Sequence, residues 1–248
     1  MTRATSAIID QHPKWGETIP QREWSLYQGV MEQARSRNIP FAFGGAFATA
    51  VYTGRLRNTK DFDFYILPAH REAMKEAVKE AGLHDYHEQL PYDRSWIYRG
   101  SRDDIIVDAI WAMANHRAEV DAEWLTRGPE VIIRGERLRA LPVEELLWCK
   151  LYILQRERCD WTDVFNLLDV RAASIDWDHL LERLGADTPL LAGALAVYAW
   201  LAPDRIRDIP PAVWTRLGVA PPSFTNADVS RARAALLDSR PWLARHMR

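Results

Sequence analysis

The 248-residue chain is long enough for one large domain or two small ones, and its 48% hydrophobic and 27% charged residues are an ordinary globular balance. Its net charge of −2 argues against broad electrostatic capture of nucleic acid, although a local basic patch would be compatible with it. Cys149 and Cys159 match neither a zinc-type spacing nor a disulfide framework. The N-terminal residues lack the apolar segment of a signal peptide, and no window approaches the roughly 18 apolar residues of a membrane span. We therefore expect a cytoplasmic protein with no membrane partner.

The first half of the chain alternates segments of helical and strand-like periodicity. This pattern predicts an α/β (α+β) fold, with a mixed β-sheet and flanking helices. Glycine and proline residues separate the segments, as turns and helix ends require. The predicted elements in chain order are a helix at 21–38, a strand at 41–43, a helix after Gly44-Gly45 that Gly54 closes, a strand at 61–67, a helix from Pro68 to Gly82, a hairpin turning at 100–102 and a second hairpin at 130–141 that turns near Gly135.

The remainder of the chain is helical in pattern. Apolar residues recur at helical spacing in four segments between residues 142 and 202, of which the first is "PVEELLWCKLYILQRER". A proline-punctuated stretch at 203–222 and a last helix at 226–238 follow. We therefore expect an α/β domain at 1–142 and a helical C-terminal domain at 143–248.

A pair of carboxylates marks the strand "DFDFYIL". Residues two apart in a strand share a face, so Asp61 and Asp63 point the same way and the phenylalanines between and after them point to the other side. Two adjacent carboxylates repel each other unless a cation lies between them, and oxygen ligands of this kind suit Mg²⁺. The alternative is a strand end whose acidic residues face solvent.

A third carboxylate lies in "DDIIVDAIWAM". Asp108 is flanked there by apolar residues, and a carboxylate in such a strand is costly to bury without a partner. If this strand lies beside the strand of Asp61 and Asp63, three carboxylates converge and can hold two divalent ions for a displacement at phosphorus. Pairing of Asp108 with an arginine is the structural alternative.

Two glycines lie between the strand "FAF" and the helix that follows it. Backbone N–H groups are free at a helix N-terminus, and the helix dipole favours anions there. Gly44 and Gly45 would also allow a phosphate to approach the backbone closely. A strand-to-helix turn often needs glycine for its own geometry, so the aspartates are what give this dipeptide its significance.

The segment "GGAFATAVYTGRLRNTKDFDF" resembles the signature of the DNA polymerase β-like nucleotidyltransferase superfamily. That signature has two small residues at a helix start, a helix, an Asp-x-Asp strand preceded by threonine or serine, and a third acidic residue on a later strand. The spacing is similar to that of the bacterial stand-alone enzymes of the antibiotic-modifying and abortive-infection branch. The resemblance covers residues 39–168.

The resemblance implies a role for each matching residue. Gly44 and Gly45 would hold the β- and γ-phosphates of a nucleoside triphosphate, with Thr59 and Lys60 assisting. Asp61, Asp63 and Asp108 would ligate two Mg²⁺ ions, or Mn²⁺ in their place, and Asp108 would help to activate the acceptor hydroxyl. Lys150 would lie near the triphosphate, and the alternative is that its ammonium extends from the apolar helix to solvent. An ion-pair network within a helix explains the charged residues that follow, Arg156, Arg158, Asp160 and Asp163, equally well.

The expected reaction transfers a nucleoside monophosphate from a triphosphate, ATP in the first instance, to an acceptor hydroxyl, with release of pyrophosphate. A small molecule, a tRNA 3′ end and a protein side chain all remain open as acceptors, as does a toxin with an antitoxin partner. Transfer of the γ-phosphate is a further alternative. A different class of function is a catalytically inactive module that keeps the fold and senses a ligand.

Overall fold

The protein is described by a computed structural model, which covers residues 9–220, 227–237 and 243. It divides into two compact units, of which one is Ile9–Pro142 and the other contains the chain from Val143 onward. The first unit is a mixed sheet with helices and the second is helical, so the predicted fold class is confirmed.

The first unit contains seven strands and four α-helices among its described residues. Short 3₁₀ turns separate several of them. In chain order the elements are α1 (Gln21–Ser36), β1 (Phe41–Phe43), α2 (Gly45–Thr53), β2 (Asp61–Ile66), α3 (Arg71–Glu80), β3 (His84–Asp85), β4 (Ile97–Arg102), β5 (Ile105–Ile110), α4 (Ala122–Thr126), β6 (Glu130–Ile133) and β7 (Glu136–Arg139).

Five of these strands form one sheet in the order β1-β2-β5-β4-β3. β2 and β5 run parallel, and the other neighbouring pairs are antiparallel. A parallel pair needs a crossover connection, which here contains α3 and the two outer strands β3 and β4. The strands β6 and β7 form a separate hairpin that turns at Arg134 and Gly135, both at positive φ.

One face of β2 anchors the sheet in the core. The ring of Phe62 lies 5.0 Å from the ring of Tyr27 in α1 and 5.0 Å from that of Phe47 in α2. Phe64 lies 4.7 Å from Phe62, and both phenylalanines are fully buried. Because neighbouring residues of a strand alternate between faces, this packing directs Asp61 and Asp63 to the opposite face.

The hairpin of β4 and β5 turns three residues later than predicted. Gly100 and Ser101 lie inside β4, and Asp103-Asp104 forms the two-residue turn, with Asp103 at φ 56°. Aspartate tolerates this left-handed conformation. Gly100 serves a different purpose, because a Cβ atom there would lie closer than 3.0 Å to the Val78 side chain of α3.

The second unit contains six α-helices among its described residues. α9 was not predicted, and residues 226 and 238 at the predicted limits of the last helix lie outside the described residues. The elements are α5 (Val143–Leu151), α6 (Trp161–Arg171), α7 (Trp177–Leu184), α8 (Thr188–Leu201), α9 (Pro211–Leu217) and α10 (Ala227–Leu237).

α5 is shorter than its apolar pattern predicted. It ends at Leu151, and the chain then folds back, with the N–H of Gln155 donating to the carbonyl of Arg158 at 2.8 Å and the N–H of Asp160 donating to that of Ile153 at 2.9 Å. These bonds replace helical ones and bring Asp160 to the side chain of Lys150, at 3.2 Å.

One helical stretch of the described chain, Trp177–Leu201, is long and apolar enough to cross a membrane by length and composition alone. Its most apolar window has a mean hydropathy of 1.3 and is 39% buried inside the protein. Core helices of soluble proteins pass the same test. Gly185, at φ 54°, ends α7 inside this stretch, which is therefore two helices joined by a 3₁₀ turn.

Candidate active site

Asp63 lies directly opposite Asp108 in the parallel register of β2 and β5. Neighbouring strands lie about 4.8 Å apart, and residues paired in this way point to the same face. Asp61 precedes Asp63 by two residues and shares that face as well. The expectation that these strands are neighbours is therefore confirmed, and the three carboxylates belong to one side of the sheet.

Asp63 contacts the turn between β1 and α2. A Cβ atom on Gly45 would come closer to the Asp63 Oδ2 atom than the 3.0 Å that real Cβ atoms respect. Gly45 also has φ 57°, a conformation that favours glycine. The carboxylate of Asp63 consequently lies against the first residue of α2, where the helix dipole favours a negative charge.

Glycine is also required at position 44, because the ring of Tyr65 lies close to the backbone there. A Cβ atom there would collide with the ring of Tyr65, and this ring stacks on Trp124 with 5.8 Å between centroids. The N–H of Gly44 donates to the backbone carbonyl of Asp63 at 3.0 Å. The glycine pair thus joins the turn to β2, and its predicted contact with phosphates stays a prediction.

Asp108 is buried and bonded to an arginine. Its side chain is 4% exposed, and the Arg99 guanidinium donates from Nε to Oδ1 at 2.7 Å and from Nη2 to Oδ2 at 2.6 Å. The two residues are opposite each other in the register of β4 and β5. This pairing is the arginine alternative considered for Asp108, and it holds the carboxylate in a fixed orientation.

Arg99 is a site residue that the sequence did not reveal. Its hydrogen bonds to Asp108 raise its pKa above the usual value, against the effect of burial, and the charges of Asp61 and Asp63 act in the same direction. Tyr92 accepts a hydrogen bond from the Arg99 backbone N–H at 2.7 Å, and the guanidinium lies 5.7 Å from the ring of Tyr86. Asp103 and Asp104 were the signal in the sequence that could have revealed it, since a turn at these residues sets the register that places Arg99 opposite Asp108.

Thr59 and Lys60 precede the acidic strand, as predicted, and both have structural partners. The Thr59 hydroxyl accepts a hydrogen bond from the N–H of Asp61 at 3.4 Å. The ammonium of Lys60 pairs with Asp104 at the hairpin turn, and its backbone carbonyl accepts from the Tyr27 hydroxyl at 3.2 Å. Burial raises the pKa of that hydroxyl above its usual value, with nearby carboxylates adding to the effect. A role in phosphate binding stays a prediction for both residues.

Lys150 belongs to the helical unit and is buried in an ion-pair cluster. Its ammonium lies 3.2 Å from Asp160 Oδ2 and 2.6 Å from Asp163 Oδ2. Arg158 donates to the same Asp160 carboxylate at 2.9 Å and 3.0 Å. Two carboxylates therefore already compensate the charge of Lys150, and its predicted contact with a triphosphate remains untested.

The face of the sheet that carries Asp61, Asp63 and Asp108, called the acidic face below, fits a divalent cation by the chemistry of its donor atoms. Three carboxylates offer the hard oxygen ligands that Mg²⁺ and Mn²⁺ take. The bonds from Arg99 use only part of the acceptor capacity of Asp108, since an ionised carboxylate has about four lone-pair sites. Asp61, Asp63 and Asp108 are the residues that would hold such an ion.

The sequence matches the model of a family described as uncharacterised nucleotidyltransferase over residues 28–202. This range includes the glycine turn, the three aspartates and most of the described helical unit. The chain belongs to this nucleotidyltransferase family. The resemblance to nucleotidyltransferases and the predicted class of enzyme are thereby confirmed. No curated protein matches the sequence significantly.

The chain also has structural similarity, at TM-scores below 0.5, to three solved structures. The antibiotic-resistance factor ANT(2″)-Ia has a TM-score of 0.42 and 21% identity, over 72% of this chain and 94% of its own. The lincosamide antibiotic adenylyltransferase LnuA has a TM-score of 0.43 and 15% identity, over 60% and 96%. JHP933 from Helicobacter pylori has a TM-score of 0.39 and 16% identity, over 89% and 95%.

Proposed function

We propose that this nucleotidyltransferase moves a nucleoside monophosphate from ATP to an acceptor hydroxyl with the help of Mg²⁺ and releases pyrophosphate. The observation that supports this proposal best is the register of Asp63 opposite Asp108, beside a glycine turn at a helix N-terminus. Family membership supports the nucleotidyl transfer itself. The metal, the nucleotide and the acceptor are the proposed parts.

Charge balance supports the need for a cation. A triphosphate held at Gly44 and Gly45 would lie against the carboxylate of Asp63, because that carboxylate already contacts Gly45. Phosphate and carboxylate oxygens repel each other strongly in a partly buried site. A bound divalent cation supplies the neutralisation of these charges and polarises the phosphoryl oxygen.

The residues of the chain position the reactants. Asp61 and Asp63 would hold the divalent ion beside the triphosphate site, and the N-terminal N–H groups of α2 would bind phosphate oxygens. The acceptor oxygen forms a bond to the α-phosphorus while the bond to the pyrophosphate oxygen breaks. Asp108, held by Arg99, would accept the hydrogen bond of the acceptor hydroxyl, direct its oxygen toward that phosphorus and take up the hydroxyl proton as the new bond forms.

We propose a small molecule as the first acceptor to test. The net charge of −2 gives no general attraction to RNA, which weighs against a tRNA end. A protein side chain, with a toxin role and an antitoxin partner, is the next candidate. We also propose a cytoplasmic location, because the reaction needs a supply of nucleoside triphosphate.

The decisive experiment follows labelled nucleotide. The full-length protein is incubated with Mg²⁺ and ATP labelled at the α-phosphate or, separately, at the γ-phosphate, together with a panel of hydroxyl-bearing metabolites and antibiotics, tRNA and cell extract. Transfer of the α-label with release of pyrophosphate supports the proposal. The matched control is Asp61→Asn, which removes one charge with little change of volume.

Each other outcome has a distinct meaning. Transfer of the γ-label would identify a phosphotransferase and refute the proposed reaction. Binding of ATP without pyrophosphate release, with every acceptor tested, would favour the non-catalytic sensing module. Undiminished turnover by Asp61→Asn would show that the acidic face is not the active site.

A further inference from the structure

Arg99 places a positive charge beside the three carboxylates of the acidic face. Asp108 lies between Asp63 on one neighbouring strand and Arg99 on the other, as the registers of β5 with β2 and β4 show. The Arg99 side chain is 31% exposed and the Asp108 side chain only 4%, so Asp108 is shielded from water and Arg99 is partly shielded. Arg99 thus brings a positive charge to the face of the sheet that carries the three aspartates.

The surroundings of Arg99 hold it at this position. Its backbone N–H is bonded to the Tyr92 hydroxyl, and the ring of Tyr86 lies beside the guanidinium. Both contacts leave the side chain its two bonds to Asp108. Among the described residues, Nη1 has no hydrogen-bond partner, so the guanidinium can retain one edge on Asp108 while offering another to a ligand oxygen.

A divalent cation at the same carboxylates must share them with this guanidinium. Two positive charges within a few ångströms of each other repel in a partly buried site, where the effective dielectric constant is low. Asp108 must also give some of its lone pairs to the metal. The bond between Arg99 and Asp108 and the binding of metal therefore oppose each other, and by linkage each weakens the other equally.

We propose that Arg99 is a positioning residue that holds the acidic face together in the metal-free protein and sets its affinity for the divalent ion by competing for Asp108. The inference rests on the proposed metal-dependent function. Arg99 would keep Asp108 oriented before the metal arrives and, because it occupies both carboxylate oxygens, would weaken metal binding until the nucleotide adds its own negative charge.

The test measures metal binding directly, with Mn²⁺ and without nucleotide, by titration calorimetry on the full-length protein. We expect Arg99→Gln to bind Mn²⁺ about tenfold more tightly than the unchanged protein, because the competing charge is gone. Arg99→Lys keeps the charge and should stay within about threefold. Arg35→Gln is the matched control, since Arg35 pairs with Glu136 instead of the acidic face, and it should leave the affinity unchanged.

Thermal unfolding gives a second readout. Arg99→Gln should melt below the unchanged protein in EDTA, because Asp108 then loses both of its bonds to the guanidinium. Mn²⁺ should raise its melting temperature by more than that of the unchanged protein. A purely structural role for Arg99 would lower both melting temperatures alike and would not tighten metal binding.

Three results would overturn the inference. Equal or weaker Mn²⁺ binding by Arg99→Gln refutes the competition, and leaves the proposed function standing if the labelled-nucleotide assay succeeds. Absence of binding by all variants refutes the inference, and the labelled-nucleotide assay then decides the proposed function separately. If Arg99→Gln does not fold, the Nε–H signal of Arg99 in the ¹⁵N spectrum of the unchanged protein replaces it, assigned by its loss in Arg99→Lys. A signal that Mn²⁺ or Mg²⁺ leaves unmoved then refutes the inference.

Discussion

The carboxylate of Asp63 occupies the space into which a side chain on residue 45 would extend. Gly45→Ala therefore introduces both a collision and an unfavourable φ. We expect the variant to displace Asp63 and to lose about a hundredfold in turnover, since misplacement of a reacting group by about 1 Å has effects of that size. Steady-state kinetics of pyrophosphate release measure the loss.

Gly54→Ala separates backbone strain from the collision. Gly54 ends α2 at φ 74°, and a Cβ atom there would meet nothing within 4 Å. The substitution should lower the free energy of unfolding by about 1–2 kcal/mol, the usual effect of a left-handed non-glycine residue, and should preserve turnover. Equal losses of turnover in the two glycine variants would contradict the proposed contact of Asp63 with the turn.

Asparagine substitutions should distinguish two of the aspartates. Asp61→Asn and Asp108→Asn are both expected to lower turnover by about a thousandfold, because each removes a charge from the proposed metal site. Only Asp108→Asn should also destabilise the protein, by about 3 kcal/mol, since it leaves the largely buried Arg99 without its ionic partner. Urea denaturation measures this difference, and equal stability of the two variants would argue against it.

The sequence predicted the strand of Asp61 and Asp63 because local alternation with Phe62 and Phe64 is a strong signal. It also predicted the glycine turn, since both glycines lie between an apolar strand and a helix. These features depend on neighbouring residues alone. The local sequence pattern therefore predicts the acidic strand and the glycine turn without knowledge of the tertiary structure.

The partner of Asp108 depended on register, and local pattern does not fix register. A turn centred on Ser101, as predicted, would set Arg99 opposite Asp103. The observed turn at Asp103-Asp104 sets it opposite Asp108. Gly100 was read as a turn residue, whereas its role is to admit the Val78 side chain of α3, a contact that only the folded chain contains.

Two buried tyrosines should respond oppositely to removal of the hydroxyl. The hydroxyl of Tyr98 has no hydrogen-bond partner among the described residues, whereas that of Tyr52 donates to the Leu141 carbonyl at 2.7 Å. Tyr98→Phe should therefore leave the free energy of unfolding unchanged or raise it by about 1 kcal/mol, and Tyr52→Phe should lower it by about 1 kcal/mol. Urea denaturation tests both, and a larger loss for Tyr98→Phe would contradict the assignment.

Lys150→Met should destabilise the helical unit by about 3–5 kcal/mol. The substitution leaves the buried Asp160 and the partly buried Asp163 without the ammonium between them. Chemical denaturation measures the loss. A triphosphate contact would in addition weaken ATP binding in the folded variant, and an unchanged dissociation constant would assign Lys150 to stability alone.

The same cluster predicts a pH dependence. Burial would raise the pKa of Asp160, but the hydrogen bond of Arg158 and the charge of Lys150 outweigh it, so the pKa lies below its usual value. The ionised form is thus favoured by folding, and its stabilisation is present above the unfolded pKa of about 3.9 and is lost as the pH falls through the folded value. Denaturation between pH 7 and pH 3 should show this loss, and Asp160→Asn should reduce it. Parallel curves for the two proteins would contradict it.

The parallel pairing of β2 with β5 determines when the acidic face can exist during refolding. Asp61 and Asp63 regain their mutual geometry as soon as one strand forms, because they are separated by a single residue. Asp108 joins them only after the whole segment between Ile66 and Ile105 has closed into a crossover, and such non-local pairing is slow. Recovery of metal affinity would therefore mark the closing event of this unit, later than recovery of its helical signal.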